Sequence, residues 1–269
     1  MGAERVGREV EQSPWLDHAV RVGLVAYGVV HLLIGWLAVQ LALGDREGKA
    51  SSTGALAELN QQPFGGVLIV LVAIGMFLLV LWRLLEAGFA HRREDGMDKA
   101  GKIAVSLFKA VIYGALGASA VKVATGSGSS GSGGTDTMTA KLMDLPAGQI
   151  LVVLAGLAII GYGGFNVHRG WTEKFREHLD AQGQSGRHGS AYVRLGKVGY
   201  IAKGAAMMII GGLFGYAGLT HDPKKSGGLD EALQEVVQAP FGPVLLGLIA
   251  VGIACYGLFC FARAKHLDR

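Results

Sequence analysis

Six apolar stretches dominate this chain, and each is long enough to cross a bilayer. They run Val22–Leu43, Phe64–Leu85, Ile103–Ala124, Ala147–His168, Val198–Leu219 and Phe241–Ala262, each 22 residues long. A hydrocarbon core of about 30 Å needs about 20 helical residues at a rise of about 1.5 Å each. Only a structure that satisfies its own backbone groups survives in lipid, so the stretches are read as helices. Buried core helices of a soluble protein are the competing reading. Six in one chain of 269 residues, with 17% charge, argue against it. The first 21 residues are polar and charged, and the first apolar stretch exceeds a signal-peptide core. Ser13-Pro14 reads as a helix start, with Trp15 at the interface.

Charge is distributed by side. The N-terminus, the connections after helices two and four, the C-terminus and the adjoining helix ends hold 19 of the 25 Lys and Arg. The positive-inside rule then places both termini in the cytoplasm. No concentrated basic face on a soluble domain is present, so no nucleic-acid partner is expected. The lipid bilayer is the expected surrounding, with a membrane-protein partner as a further candidate.

The chain repeats three times as helix pairs, over 1–95, 96–182 and 183–269. Pro63-Phe64-Gly65, Pro146-Ala147-Gly148 and Pro240-Phe241-Gly242 open the second helices, and proline is expected at the first helical position. Leu68, Leu151 and Leu245 follow in register, then Leu71, Leu154 and Leu248, then Gly75, Ala158 and Gly252. In the first helices Gly28, Ala110 and Gly204 match, as do Gly35, Gly117 and Gly211. Recurrent small residues let helices approach closely in lipid, so one seam is expected three times. Two helices per repeat make the repeats parallel. The expected fold is an all-α integral membrane protein, six transmembrane helices in a pseudo-threefold bundle, with an open row of pairs as the alternative.

Short helices are expected at Gly54–Asn60, Thr137–Leu142 and Leu229–Val237, and a flexible Gly/Ser connection within Thr125–Thr137. Trp171, Phe175 and Leu179 share one helical face. That face reads as an interfacial amphipathic helix, a docking surface, or a connector packed on the bundle.

Three tandem helix pairs, glycine-rich first helices and Pro-x-Gly starts resemble the bacterial membrane family called domain of unknown function 1206, over about Val20 to Ala264. Its members tend to carry a basic residue before the small residue of the first helix. Lys109-Ala110 and Lys203-Gly204 fit, and Tyr27-Gly28 departs. The resemblance implies an actinobacterial or related inner-membrane protein and no established activity.

A charge inside a span is a functional hypothesis. Tyr27, Lys109 and Lys203 are equivalent and are expected at one height, forming an anion or lipid-headgroup site if they face the axis. The alternatives are snorkelling, or pairing with Glu86. His31, equivalent to Tyr113 and Met207, either relays protons or hydrogen-bonds across helices. Glu86, Arg169 and Arg263 occupy equivalent inner ends, which suggests ion pairs between repeats or plain interfacial anchors. Cys255 and Cys260 are expected as buried apolar cysteines. No catalytic motif occurs, and no metal-ligand or haem spacing, so neither catalysis nor a cofactor is expected. The leading reading is a non-enzymatic module binding lipid or a partner protein. The alternative is a channel or transporter for a small solute or ion along the pseudo-threefold axis.

Overall fold

A computed structural model describes residues 14–45, 50–89, 96–126 and 139–267. Ser13 and most of the Gly/Ser connection lie outside the described residues. The spanning helices are α1 (Pro14–Ala42), α3 (Gly65–Phe89), α4 (Gly96–Ala124), α5 (Gly148–Trp171), α7 (Gly186–Thr220) and α9 (Gly242–Lys265). Shorter helices are α2 (Ser52–Gln61), α6 (Ala181–Gln184) and α8 (Leu229–Gln238), with a helical turn at 139–143. All six long helices are apolar and long enough to cross a membrane, and the protein is a multi-pass membrane protein.

The six helices lie around one axis, joined by five close contacts. The second helix of each repeat packs on the first helix of the next: α3 on α4, α5 on α7, and α9 back on α1. The last contact brings repeat 3 back against repeat 1, so the repeats do not run in a row from first to last, and the edge between α4 and α5 stays open. Repeat-matched glycines form these seams. A Cβ at Gly28 on α1 would lie 2.9 Å from the Gly257 carbonyl oxygen on α9. At Gly204 on α7 it would lie 2.6 Å from the Gly163 carbonyl on α5, and at Gly211 2.7 Å from that of Gly156. The seam between α3 and α4 is looser. There Gly117 meets the Phe77 ring at 3.2 Å and Gly114 meets Val80 at 3.8 Å.

Within repeats the pairing is uneven. α1 packs on α3, and α7 on α9, but α4 and α5 do not pack along their length. The sequence register explains the difference. Gly75 and Gly252 lie so close to Ala26 and Ala202 of their partner helices that an added Cβ would collide with the alanine methyl. In repeat 2 the equivalent positions are Phe108 and Ala158. The larger side chain holds the helices apart: Phe108 is 41% exposed and touches α5 edge-on at Tyr162, ring centroids 5.1 Å apart. The matched leucines Leu71, Leu154 and Leu248 all point outward, as a lipid-facing stripe requires.

The three Pro-x-Gly motifs correct the expected helix start. Proline is not the first helical position. It lies two residues earlier, inside a turn closed by Gly65 N–H to Gln62 O, Gly148 N–H to Leu145 O, and Gly242 N–H to Ala239 O, each 2.8 Å. The residue after each proline, Phe64, Ala147 or Phe241, has φ of 64°, 61° or 59°. Proline at the second position and positive φ at the third is the pattern of a type II turn. Glycine follows because a Cβ there would strike the carbonyls that end the preceding short helix.

Those short helices dock on the end of the bundle opposite the termini. Ala55, Leu56 and Leu59 of α2, and Ala232, Leu233 and Val236 of α8, are buried. Ser51 caps α2 by accepting from Gly54 N–H at 3.1 Å. Asp230 of α8 accepts from Ala50 N–H at 2.9 Å, which joins repeats 3 and 1.

At the terminal end, the connection after α5 breaks the expected amphipathic face. α5 stops at Trp171, and a 3-10 helix follows at Lys174–His178. Phe175 and Leu179 are fully buried while Trp171 is 71% exposed, so the three do not share a face. The segment is a connector packed on the bundle. Leu179 pairs with Leu267 as an isolated antiparallel bridge, and Asp180 N–H donates to the His266 carbonyl at 3.0 Å. Arg21 of α1 donates to the carbonyls of Ala264 and Lys265, both at 2.8 Å. A cation there satisfies the free carbonyls at the end of α9.

Candidate functional site

Aromatic rings fill the bundle axis. Tyr27 and His31 come from α1, Tyr113 from α4, Tyr200 from α7 and Tyr256 from α9, and all five are buried. The Tyr27 ring lies 4.2 Å from His31, 5.1 Å from Tyr113 and 6.1 Å from Tyr256, centroid to centroid. Tyr200 meets Tyr256 edge-on at 5.2 Å. Such edge-to-face packing is a favoured arrangement of ring quadrupoles.

Lys203 is held inside this aromatic group. Its Nζ donates to the Tyr27 hydroxyl at 2.8 Å and lies 4.2 Å from the centre of the Tyr256 ring. Both contacts offer electron density to the amine. His31 Nδ1 lies 2.9 Å from the Tyr27 carbonyl, one helical turn back, and donates to it. The expected hydrogen bond across helices is therefore replaced by one within α1. Carbonyl acceptors one turn earlier are within easy reach of a short side chain on a helix.

Below the rings, toward the terminal end, a basic cleft opens. Arg83, Lys109, Arg169, Lys203 and Arg263 line it, one from each of α3, α4, α5, α7 and α9. Tyr162, Phe165 and Asn166 of α5 complete the wall on one side. The cavity at its centre is about 20 Å³, room for about one water-sized group.

The charges pair locally. Glu86 takes Arg83, one turn away on the same helix, and accepts from the Ser106 hydroxyl of α4 at 2.9 Å. Arg169 donates to Glu177 at 2.9 Å and to His178 Nε2 at 2.6 Å. The expected ion pairs between Glu86, Arg169 and Arg263 do not form. Each residue at the equivalent place meets a nearer partner on its own repeat or, for Arg263, the Trp82 ring at 5.7 Å. Lys109 is half-buried on the cleft wall and has no ion pair with Glu86 among the described residues. Burial, then the positive charges of Arg263 and Arg169, holds His178 far below the usual histidine range. A neutral imidazole is the form that can accept from Arg169. Across the connector, the Gly183 N–H and then His266 hold the Asp180 carboxyl below its usual range.

Of the sequence candidates, Tyr27, His31, Tyr113 and Lys203 lie in one buried group, and Lys109, Arg169 and Arg263 join the cleft beneath it. Glu86 stands beside it through Arg83. Cys260 is buried and Cys255 half-buried, both as free thiols. Arg83, Asn166, Tyr200 and Tyr256 escaped the sequence reading. Register held a signal for two pairs: Arg83 is equivalent to Asn166, and Tyr162 to Tyr256.

Comparison with known proteins gives a family and no chemistry. The sequence profile described as Domain of Unknown Function (DUF1206) matches three times in tandem, at residues 22–90, 104–173 and 198–266. An uncharacterized protein of Bacillus subtilis (strain 168), YxxB, is 29% identical over 261 residues, 95% of this chain and 93% of that protein. No solved structure matches. The three matches follow the three helix pairs of the ring, and the chain belongs to the DUF1206 family.

Proposed function

We propose that the protein is a non-enzymatic membrane module that holds a lipid. It sits in the bacterial inner membrane with both termini in the cytoplasm. The basic cleft at the terminal end carries the reading: five cationic side chains from five helices converge there, a match for an anionic headgroup. The surplus of Lys and Arg on the same side supports the orientation.

A channel along the axis is the competing reading. It needs a wetted path at the level of Tyr27, Tyr113 and Tyr256, where the rings pack edge-on. Pro14 and Pro243 stand in the first turns of α1 and α9, and no proline lies deeper in a described span, which also speaks for unbroken helices. Lipid extraction from the purified protein and solute flux in liposomes separate the two. The module retains lipid through delipidating washes and leaves flux at the level of empty liposomes. Flux above that level, altered by Lys203→Ala, would favour the channel. A C-terminal reporter active only in the cytoplasm is expected, and a periplasmic signal would reverse the orientation.

A further inference from the structure

Three features of the cleft go beyond a general lipid affinity. The first is uncompensated charge. Among the described residues, Lys109, Lys203 and Arg263 have no carboxylate within ion-pair reach, and the two acids nearby are already taken by Arg83 and Arg169. The Nε atoms of Arg83, Arg169 and Arg263 are buried without a hydrogen-bond partner. Unpaired buried charge is costly unless something compensates it. Guanidinium groups present planar forks of donors that match carboxylate and phosphate oxygens.

The second is space. The cavity among these side chains admits about one oxygen-sized group. That fits a tetrahedral oxyanion inserting one oxygen from the cleft.

The third is the route. The rings of Tyr27, His31 and Tyr256 close the cleft toward the far side of the membrane. The connector, through Glu177 and His178, covers Arg169 from the terminal end. The ring of helices is open at one place, between α4 and α5, where Phe108 takes the position held by Ala26 and Ala202 in the other repeats. Lys109 lies next to Phe108, and Phe165, 47% exposed, lies on the opposite wall. A mouth in this seam, beside the Phe108–Tyr162 ring contact, faces lipid rather than water.

We infer that the cleft binds the phosphoryl group of an anionic phospholipid, which enters sideways between α4 and α5 and leaves its acyl chains in that seam. This rests on the lipid-module reading and names its ligand and its site.

The test uses the delipidated full-length protein in detergent, with dioleoyl phosphatidylglycerol, dioleoyl phosphatidylcholine and inorganic phosphate as separate probes, read by native mass spectrometry. One phosphatidylglycerol is expected to stay bound under activation that strips phosphatidylcholine. Lys109→Gln and Arg263→Gln are each expected to weaken it tenfold or more, with partial rescue by Arg263→Lys. The pair Phe108→Ala with Ala158→Gly restores the small-residue seam of the other repeats. It is expected to close the mouth and weaken lipid retention with every cation in place. Lys109 is half-buried, so its variant decides the matter if Arg263→Gln does not fold. Phosphatidylglycerol retained equally by all variants would overturn this site and leave the lipid module standing. Retention of no lipid at all would overturn the module itself. Inorganic phosphate binding as tightly as phosphatidylglycerol would overturn the lipid source and the lateral route.

Discussion

Replacing Gly204 by alanine tests the seam between repeats 2 and 3. The new Cβ would lie 2.6 Å from the Gly163 carbonyl oxygen, 2.7 Å from Val167 Cγ2 and 2.8 Å from the Val167 nitrogen. Two of these atoms are backbone, so no rotamer change removes the clash. Carbon-to-oxygen contacts between helices settle at about 3.3–3.6 Å, so α5 and α7 must separate by about 0.7 Å. Overpacking of this kind costs about 1–3 kcal/mol. Alanine's better helix propensity returns up to about 1 kcal/mol. Gly161 on α5 is the matched control, because a Cβ there meets nothing within 4 Å. Thermal unfolding in detergent is the assay. With the helix-propensity return counted, Gly204→Ala is expected to lower Tm by up to roughly 8 °C, from a net cost of up to about 2 kcal/mol at about 2–4 °C per kcal/mol for a chain near this size. Gly161→Ala is expected to leave Tm unchanged or raise it. If Gly204→Ala unfolds no earlier than Gly161→Ala, the close glycine seam is wrong.

Other expectations follow from the same geometry. Tyr27→Phe removes the hydroxyl that accepts from Lys203, and a lost bond to a charged group costs about 1.5–3 kcal/mol; Lys203→Met in the same background is expected to recover much of it, and additive losses in a thermal-shift cycle would break the pairing. Arg21→Ala frees two carbonyls at the end of α9, with an expected loss of about 1 kcal/mol and faster amide exchange at the C-terminal end of α9; unchanged exchange would contradict the cap. His178 is held well below its usual range in the folded protein, so the unfolded chain binds the extra proton first. Stability from this contact is expected to be complete above about pH 6.5 and to fall as pH drops below it. His178→Gln should flatten that slope, and an unchanged pH–Tm curve would refute the buried neutral imidazole. Cys260 is buried and Cys255 half-buried, so a maleimide is expected to label Cys260 only on unfolding, and rapid labelling of the native protein would oppose the packing of α9.

Long-range architecture was legible because membrane helices announce themselves by length and apolarity, and because the repeat supplied its own alignment. That alignment also pointed to the seams: Gly28 and Gly204 do meet carbonyls of the preceding repeat's second helix. It contained the odd seam too, since Phe108 stands where Ala26 and Ala202 stand, although the matched small residues drew attention elsewhere. The left-handed residues were hidden. Nothing in Phe64, Ala147 or Phe241 itself favours positive φ; the turn around each proline, closed by the following glycine's N–H, sets it. Phe175 and Leu179 have helical spacing to Trp171, yet tertiary burial won over periodicity and broke the helix at that point. The charge set misled for a related reason. Equivalence by repeat brings residues to one height, while an ion pair is decided by the nearest partner, and Arg83 lies one turn from Glu86.

The most direct measurement is an experimental structure of the full chain in nanodiscs containing phosphatidylglycerol. It is expected to show a phosphate among Arg83, Lys109, Arg169 and Arg263, acyl density between α4 and α5, and dry rings at Tyr27 and Tyr256. A continuous water path through the level of those rings, or a closed α4–α5 seam with no anion in the cleft, would contradict the account.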